Sequence, residues 1–246
     1  MNISHKTVLI TGGGTGIGLE TARLLSARGN TVILVGRTMH NLQAAAAELP
    51  GAVAIRCDVT DPAQVQQLVA QVTADYPTLS VLINNAGRAF SYRHGAGAGA
   101  AEKAHEEFAT NYFALLRITE GFLPLLKTQP EAAVVNVSSI VAYAPSVAAP
   151  SYSDSKAAVH SYTLALRHTL AQETNVKVFE ALPSLVNTAF SQEIGGAHGM
   201  PAAEVAEALV AGIEHDEWEI PIGQTAGFRA FFLSAPQQAF EMLNQR

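Results

Sequence analysis

At 246 residues, 48 % of them apolar and 15 % charged, the chain can bury a sizeable core, which excludes a disordered chain. A net charge of −6 supplies no basic stripe for nucleic acid, and no apolar run reaches the about 20 residues that span a bilayer. A strand pattern that begins at residue 7 leaves no room for a signal peptide, and the single cysteine, Cys57, excludes an internal disulfide and fits a cytoplasmic setting. The eight histidines fall into no metal-ligand spacing, so no metal site is expected.

In chain order, strand-like runs fall at 7–10, 31–35, 53–57, 79–84, 133–138, 176–181 and 218–222. Helix-like segments lie between them at 16–28, 39–49, 62–76, 102–126, 151–173 and 201–216, and 226–244 reads as one last helix. Gly29 stands where the first helix needs a left-handed residue to end it. This alternation predicts an α/β fold: one domain over 1–246, with a doubly wound seven-stranded parallel sheet and helices on both faces. Two connections, 88–101 and 184–200, are long enough to serve as binding loops or lids.

The first strand runs into TGGGTGIG, Thr11 to Gly18, and a helix follows directly. Gly12, Gly16 and Gly18 allow a tight turn and close backbone approach, and the helix N-terminus offers free N–H groups to a pyrophosphate. After the second strand the chain reads ILVGRT, with Gly36 where many NAD binders carry a carboxylate for the ribose 2′-hydroxyl. Arg37 beside it can hold a 2′-phosphate with paired, charge-assisted hydrogen bonds. The expected cofactor is therefore NADP, with NAD as the alternative. Asp58, after the third strand, is placed to accept from an adenine amino group. Asp61 before Pro62 is the better helix cap and leaves Asp58 to the ligand.

In SYSDSKAAVH, Tyr152 precedes Lys156 by four residues, so both share one helix face. At about 4 Å and an effective dielectric of about 20, an ammonium stabilises a phenolate by about 4 kcal/mol. Such an interaction would bring the phenol near neutral pH, where acid–base catalysis works best. Ser139 ends the fifth strand run. It falls at the same sheet edge as the glycine turn, Asp58 and NNAG, Asn84 to Gly87, and ligands of open parallel sheets bind at that edge.

TGGGTGIG, NNAG, Asn111, Ser139 and Tyr152-x₃-Lys156 together resemble the short-chain dehydrogenase/reductase family over essentially the whole chain. The stretches VFEALPSLVNTAF and EIPIGQ resemble the branch of oxidoreductases encoded in D-alanyl-lipoteichoic acid operons. The resemblance implies a Rossmann fold and hydride transfer between nicotinamide and a carbonyl or secondary alcohol, with Tyr152 as general acid/base. It implies that Ser139 hydrogen-bonds the reacting oxygen, that Lys156 binds the nicotinamide ribose and lowers the Tyr152 pKa, and that Asn111 holds a relay water. Cofactor contacts are expected from Gly12, Thr15, Gly16, Ile17, Gly18, Arg37, Asp58, Val59, Asn85, Ala86, Gly87, Tyr152, Lys156, Val186 and Thr188.

Two positions depart from the family pattern. Ser184 follows Pro183 where glycine is common, and Thr15 stands where NADP-preferring members often carry a basic residue, leaving Arg37 to make that choice. The rival reading is an NADP-sensing or scaffold protein without turnover, but such proteins often lose a catalytic residue, and none of this set is missing. The family further implies a homodimer or homotetramer packed through 102–126 and 151–173, acting on a small carbonyl or alcohol substrate. Phe90, Tyr92, Tyr143 and Phe190 are candidates for an apolar substrate pocket.

Overall fold

Strands apolar on both faces need helices on both sides, and the chain supplies them in alternation. The computed structural model describes residues 1–245. Its first half runs β1 (Thr7–Thr11), α1 (Gly16–Ala27), β2 (Thr31–Gly36), α2 (Met39–Ala47), β3 (Val53–Arg56), α3 (Pro62–Asp75) and β4 (Leu79–Asn84). Next come α4 (Ala100–Phe108), α5 (Ala114–Lys127), β5 (Ala132–Val137), α6 (Pro150–Glu173) and β6 (Val176–Pro183). The chain ends with β7 (Val186–Asn187), β8 (Met200–Pro201), α7 (Ala202–Glu214), β9 (Glu219–Ile222), α8 (Thr225–Ser234) and α9 (Pro236–Asn244).

Seven strands form one parallel sheet in the order β3-β2-β1-β4-β5-β6-β9, the expected doubly wound Rossmann arrangement. The order reverses between β1 and β4, which opens a crevice beyond the carboxyl ends of those strands. Side chains alternate across the sheet. Val8, Ile10, Val81, Ile83, Phe179 and Ala181 pack with Leu25 of α1 and Leu209 and Ile213 of α7. Leu9, Leu82, Val134 and Val178 pack on the other face with Leu68 of α3, Phe122 of α5 and Leu170 of α6. Thus α5 and α6 share one face of the sheet and α1 and α7 the other.

Local signals end the helices as expected at two places. Gly29 takes φ 77° after α1, and Asp61 caps α3 by accepting from the Ala63 and Gln64 amides ahead of Pro62. Two expectations need correction. The segment 102–126 is not one helix: a π turn at Ala109–Phe113 separates α4 from α5. The segment 226–244 breaks at Ala235, because the residue before a proline is disfavoured in the α region, and Pro236 starts α9. The 184–200 connection carries 3₁₀ turns and the two short strands β7 and β8, which pair in parallel as a separate ribbon.

Candidate active site

At the crevice, Thr11 ends β1 and its hydroxyl accepts from the Asn85 and Ala86 amides, both at 3.0 Å. The Asn85 side chain donates back to the Thr11 and Gly12 carbonyls at 3.0 and 3.3 Å. The glycine turn is thereby tied to the end of β4. Gly12 and Gly16 take φ of 66° and 55°, open to glycine and costly for other residues. A Cβ on Gly18 would lie 2.6 Å from Asn85 Nδ2 and closer still to the Gly12 carbonyl, so Gly18 is set by packing. Thr15, the residue before α1, makes no side-chain cap, which leaves the first N–H groups of the helix facing the crevice.

Two cavities meet at this turn. The smaller, about 200 Å³, is bordered by Gly12, Thr15, Arg37, Asp58, Val59 and Gly87. Arg37 is exposed beyond β2 and makes no ion pair among the described residues. One oxygen of Asp58 accepts from the Thr60 amide and hydroxyl at 3.0 and 2.7 Å, so only its other oxygen is left for a further donor. The larger cavity, about 420 Å³, brings together Gly16, Ile17, Asn85 and Ala86 with Ser139, Tyr152, Lys156, Val186 and Thr188. Gly18 and Asn111 are the two expected site residues that line neither cavity.

Asn111 sits in the π turn, a distortion often found at functional sites. Its amide accepts from the Arg88 N–H at 2.8 Å and donates to the Arg88 carbonyl and to the Ser155 hydroxyl at 2.9 and 2.8 Å. It therefore joins the loop after β4 to α6 behind the reacting pair.

Tyr152 and Lys156 lie one turn apart near the start of α6, with the Lys156 ammonium 5.7 Å from the phenol ring centre. Burial pushes the Tyr152 phenol up to about 12, opposed by the Ser139 hydroxyl and helped by the charge of Glu107. Burial also brings Lys156 down to about 8, opposed by Glu180. The expectation that Lys156 draws the phenol toward neutrality is not met in this arrangement. Desolvation dominates both groups, and the ammonium donates to the Val137 carbonyl at 2.8 Å. Tyr152 is held as a neutral O–H, which suits proton donation.

The aromatic expectations divide. Phe190 borders the larger cavity, its ring 5.9 Å from that of Tyr152. Phe90 lies under the Arg88 guanidinium, Tyr92 donates to Ser151, and Tyr143 turns toward Glu219 and His160; none of these three lines the cavity. Val141, Val147, Leu185, Ile194 and, from α9, Leu243 supply the apolar wall instead.

Sequence reasoning missed two buried carboxylates. Glu107, wholly buried, accepts from the Phe90 amide at 2.7 Å and from the Ser151 hydroxyl, which in turn accepts from the Tyr92 phenol at 2.7 Å. This clamps the 88–101 loop onto the start of α6. Glu180 lies wholly buried in β6 and pairs with His160. Its signal was available, as a charge within the apolar run VKVFEALP.

Residues 6–198 match the family model described as short chain dehydrogenase. The chain belongs to the short-chain dehydrogenase family. The dehydrogenase is 35 % identical over 249 residues to a Bacillus subtilis (strain 168) protein named "Uncharacterized oxidoreductase DltE", covering 99 % of this chain and 98 % of that one. That match agrees with the operon branch read from the sequence. A short chain dehydrogenase from Burkholderia cenocepacia J2315, solved in complex with NADP, superimposes with a TM-score of 0.86 at 29 % identity and 98 % coverage of both chains. One from Burkholderia phymatum, solved with NAD, shares the fold with a TM-score of 0.84 at 20 % identity, over 99 % of this chain and 97 % of that one.

Glu107→Ala removes the acceptor of the Phe90 amide. Hydrogen exchange at that amide is expected to accelerate by about tenfold or more, the worth of one hydrogen bond to a charged group, and an unchanged rate would show that the loop is held by other contacts.

Proposed function

We propose that this dehydrogenase uses NADP(H) to interconvert a carbonyl and a secondary alcohol, with Tyr152 giving or taking the proton at the substrate oxygen. The observation that carries the reading is one continuous crevice with Arg37 at one end and Ser139, Tyr152 and Lys156 at the other. The dinucleotide fits these residues: the uncapped start of α1 offers N–H groups for a pyrophosphate, and Gly12 and Gly16 bring bare backbone to the crevice beside Asn85 and Thr188. The bound nicotinamide supplies or accepts the hydride. Arg37 would hold the 2′-phosphate, Asp58 the adenine amino group, and Val186 and Thr188 the nicotinamide end. The NADP complex of the Burkholderia cenocepacia relative supports the choice of NADP.

The neutral Tyr152 phenol donates its proton to a carbonyl oxygen held by the Ser139 hydroxyl. The Lys156 ammonium stabilises the charge left on the phenol, and Asn111 holds the backbone on which a relay to solvent is built. No helix among the described residues is long and apolar enough to cross a membrane. We read the protein as a single cytoplasmic domain without a resident metal, acting on a small molecule.

Arg37→Ala is expected to weaken NADPH by about 10- to 100-fold, the worth of one or two charge-assisted hydrogen bonds, and to leave NADH unchanged. Titration of nicotinamide fluorescence measures both, and an NADPH affinity left unchanged by the substitution would make Arg37 a surface residue.

Tyr152→Phe is expected to cut turnover by about 10² to 10⁴. In the wild type, both pKa values place the active protonation state below about 8, the Lys156 value. Carbonyl reduction therefore runs at full rate at neutral pH and falls as the Lys156 ammonium titrates near pH 8. A reduction rate that rises through that range would contradict the assignment.

Leu164 on α6 is 41 % exposed, and Phe113, in the π turn between α4 and α5, is 52 % exposed. They support a homodimer or homotetramer. Light scattering at micromolar concentration is expected to give two or four chain masses, and a monomer mass would refute it.

A further inference from the structure

A carboxylate in the middle of a buried strand is costly unless something charged needs it. Glu180 is such a residue. It is 0 % exposed, and it lies on β6 between Phe179 and Ala181, which face α1 and α7. By alternation the Glu180 side chain faces α6, the helix that carries Tyr152 and Lys156. Its Oε2 lies 2.7 Å from His160 Nδ1, while Oε1 is buried and has no hydrogen-bond partner among the described residues.

The register places this carboxylate close to the reacting lysine. Glu180 pairs with Asn136 across β5, and the next residue, Val137, gives its carbonyl to the Lys156 ammonium. On α6, Tyr152, Lys156 and His160 follow at intervals of four, so they stack on one face of three successive turns. His160 caps this row and is the member of the pair that meets solvent, its side chain 21 % exposed.

We propose that Glu180 and His160 are positioning residues for catalysis: Glu180 is the buried counter-charge that keeps Lys156 an ammonium, and His160 regulates how much of that charge Lys156 feels. The proposal rests on the assignment of Lys156 to the reacting pair. The charge of Glu180 opposes the desolvation of Lys156. It also raises the His160 pKa, chiefly through their hydrogen bond, with Glu219 adding to the effect and burial and Arg167 opposing it.

The groups around the pair are few. Glu219 comes from β9 and is held by Arg229 of α8 at 3.1 Å. Tyr143 stands edge-on to the His160 ring at 5.5 Å and donates to Glu219 at 3.4 Å. Arg167, about two turns further along α6, gives its guanidinium to the Val178 and Trp218 carbonyls. When His160 is protonated, its cation offsets Glu180 and weakens the hold on Lys156. When His160 is neutral, the full carboxylate acts on the lysine. Solution pH therefore reaches Lys156 through His160, two turns along α6 from Tyr152.

The test reads Lys156 directly and needs neither substrate nor cofactor, so it stands whether or not the reductase reading holds. The full chain is acetylated with trace acetic anhydride across a pH series, and peptide mass spectrometry gives the pH of half-reaction at each lysine. Glu180→Gln is expected to move the Lys156 midpoint down by about one pH unit, the effect of removing one close opposite charge, with Lys127 unmoved. His160→Asn is expected to move the midpoint in the wild-type chain and to add nothing in the Glu180→Gln chain. A Lys156 midpoint in Glu180→Gln that superimposes on the wild type overturns the proposal, and one unmoved by His160→Asn overturns the part given to His160. If Glu180→Gln loses cooperative unfolding, Glu180→Asp replaces it, since the shorter carboxylate keeps the charge but draws it away from Lys156. A Lys156 midpoint lowered in Glu180→Asp supports Glu180 as the counter-charge, and one that superimposes on the wild type rejects it.

Discussion

Four hydrogen bonds between the ends of β1 and β4 set the geometry of the site: two to the Thr11 hydroxyl and two from the Asn85 side chain. These strands are neighbours at the point where the sheet order reverses, so the connections that leave them diverge. Without the cross-ties the glycine turn and the loop after β4 would be free to move apart. With them, the start of α1, the Asn85–Gly87 backbone and the far wall built by Ser139, Tyr152 and Lys156 face one another across a fixed gap. A parallel sheet places all its carboxyl ends on one edge, so the remaining cofactor and substrate groups arrive there by topology.

The polar residues inside the sheet follow a second constraint. Asn84 donates to Thr119 and Asn136, and Asn136 donates to Thr163, each at 2.9 Å, which links β4 and β5 to α5 and α6. Glu180 stands next in line on β6, opposite Asn136. All three side chains face the α5–α6 layer, beneath the helix that holds the reacting groups. The opposite face, toward α1 and α7, is apolar along the same strands. This dry setting decides the protonation states. Burial works against the charged form of every group it encloses, which raises the Tyr152 phenol and lowers the Lys156 ammonium. The few buried charges then act over short distances with little screening.

The strands were legible because both faces of each are covered. Runs such as TVILV and AAVVNV are apolar almost throughout, and helical periodicity lies between them. The glycine turn, the Asp61 cap and the Tyr152–Lys156 spacing were legible because each depends on residue type at short range. The π turn around Asn111 was not, since one extra residue in a helical turn leaves no compositional trace, and 102–126 keeps its apolar rhythm across it. The break at Ala235 could have been read from Pro236. The direction of the Tyr152 shift required knowing that the phenol and the ammonium are buried together. The placement of Tyr92 and Tyr143 required knowing the tertiary partners, Ser151 and Glu219, that each hydroxyl meets.

The measurement that tests the account most directly is a crystal structure of the chain grown with NADP. The account predicts the pyrophosphate on the N–H groups that open α1, the 2′-phosphate on Arg37, and the nicotinamide ribose within hydrogen-bond distance of Tyr152 and Lys156. A dinucleotide bound away from the β1–β4 crevice, or one whose nicotinamide points away from Tyr152, would contradict it.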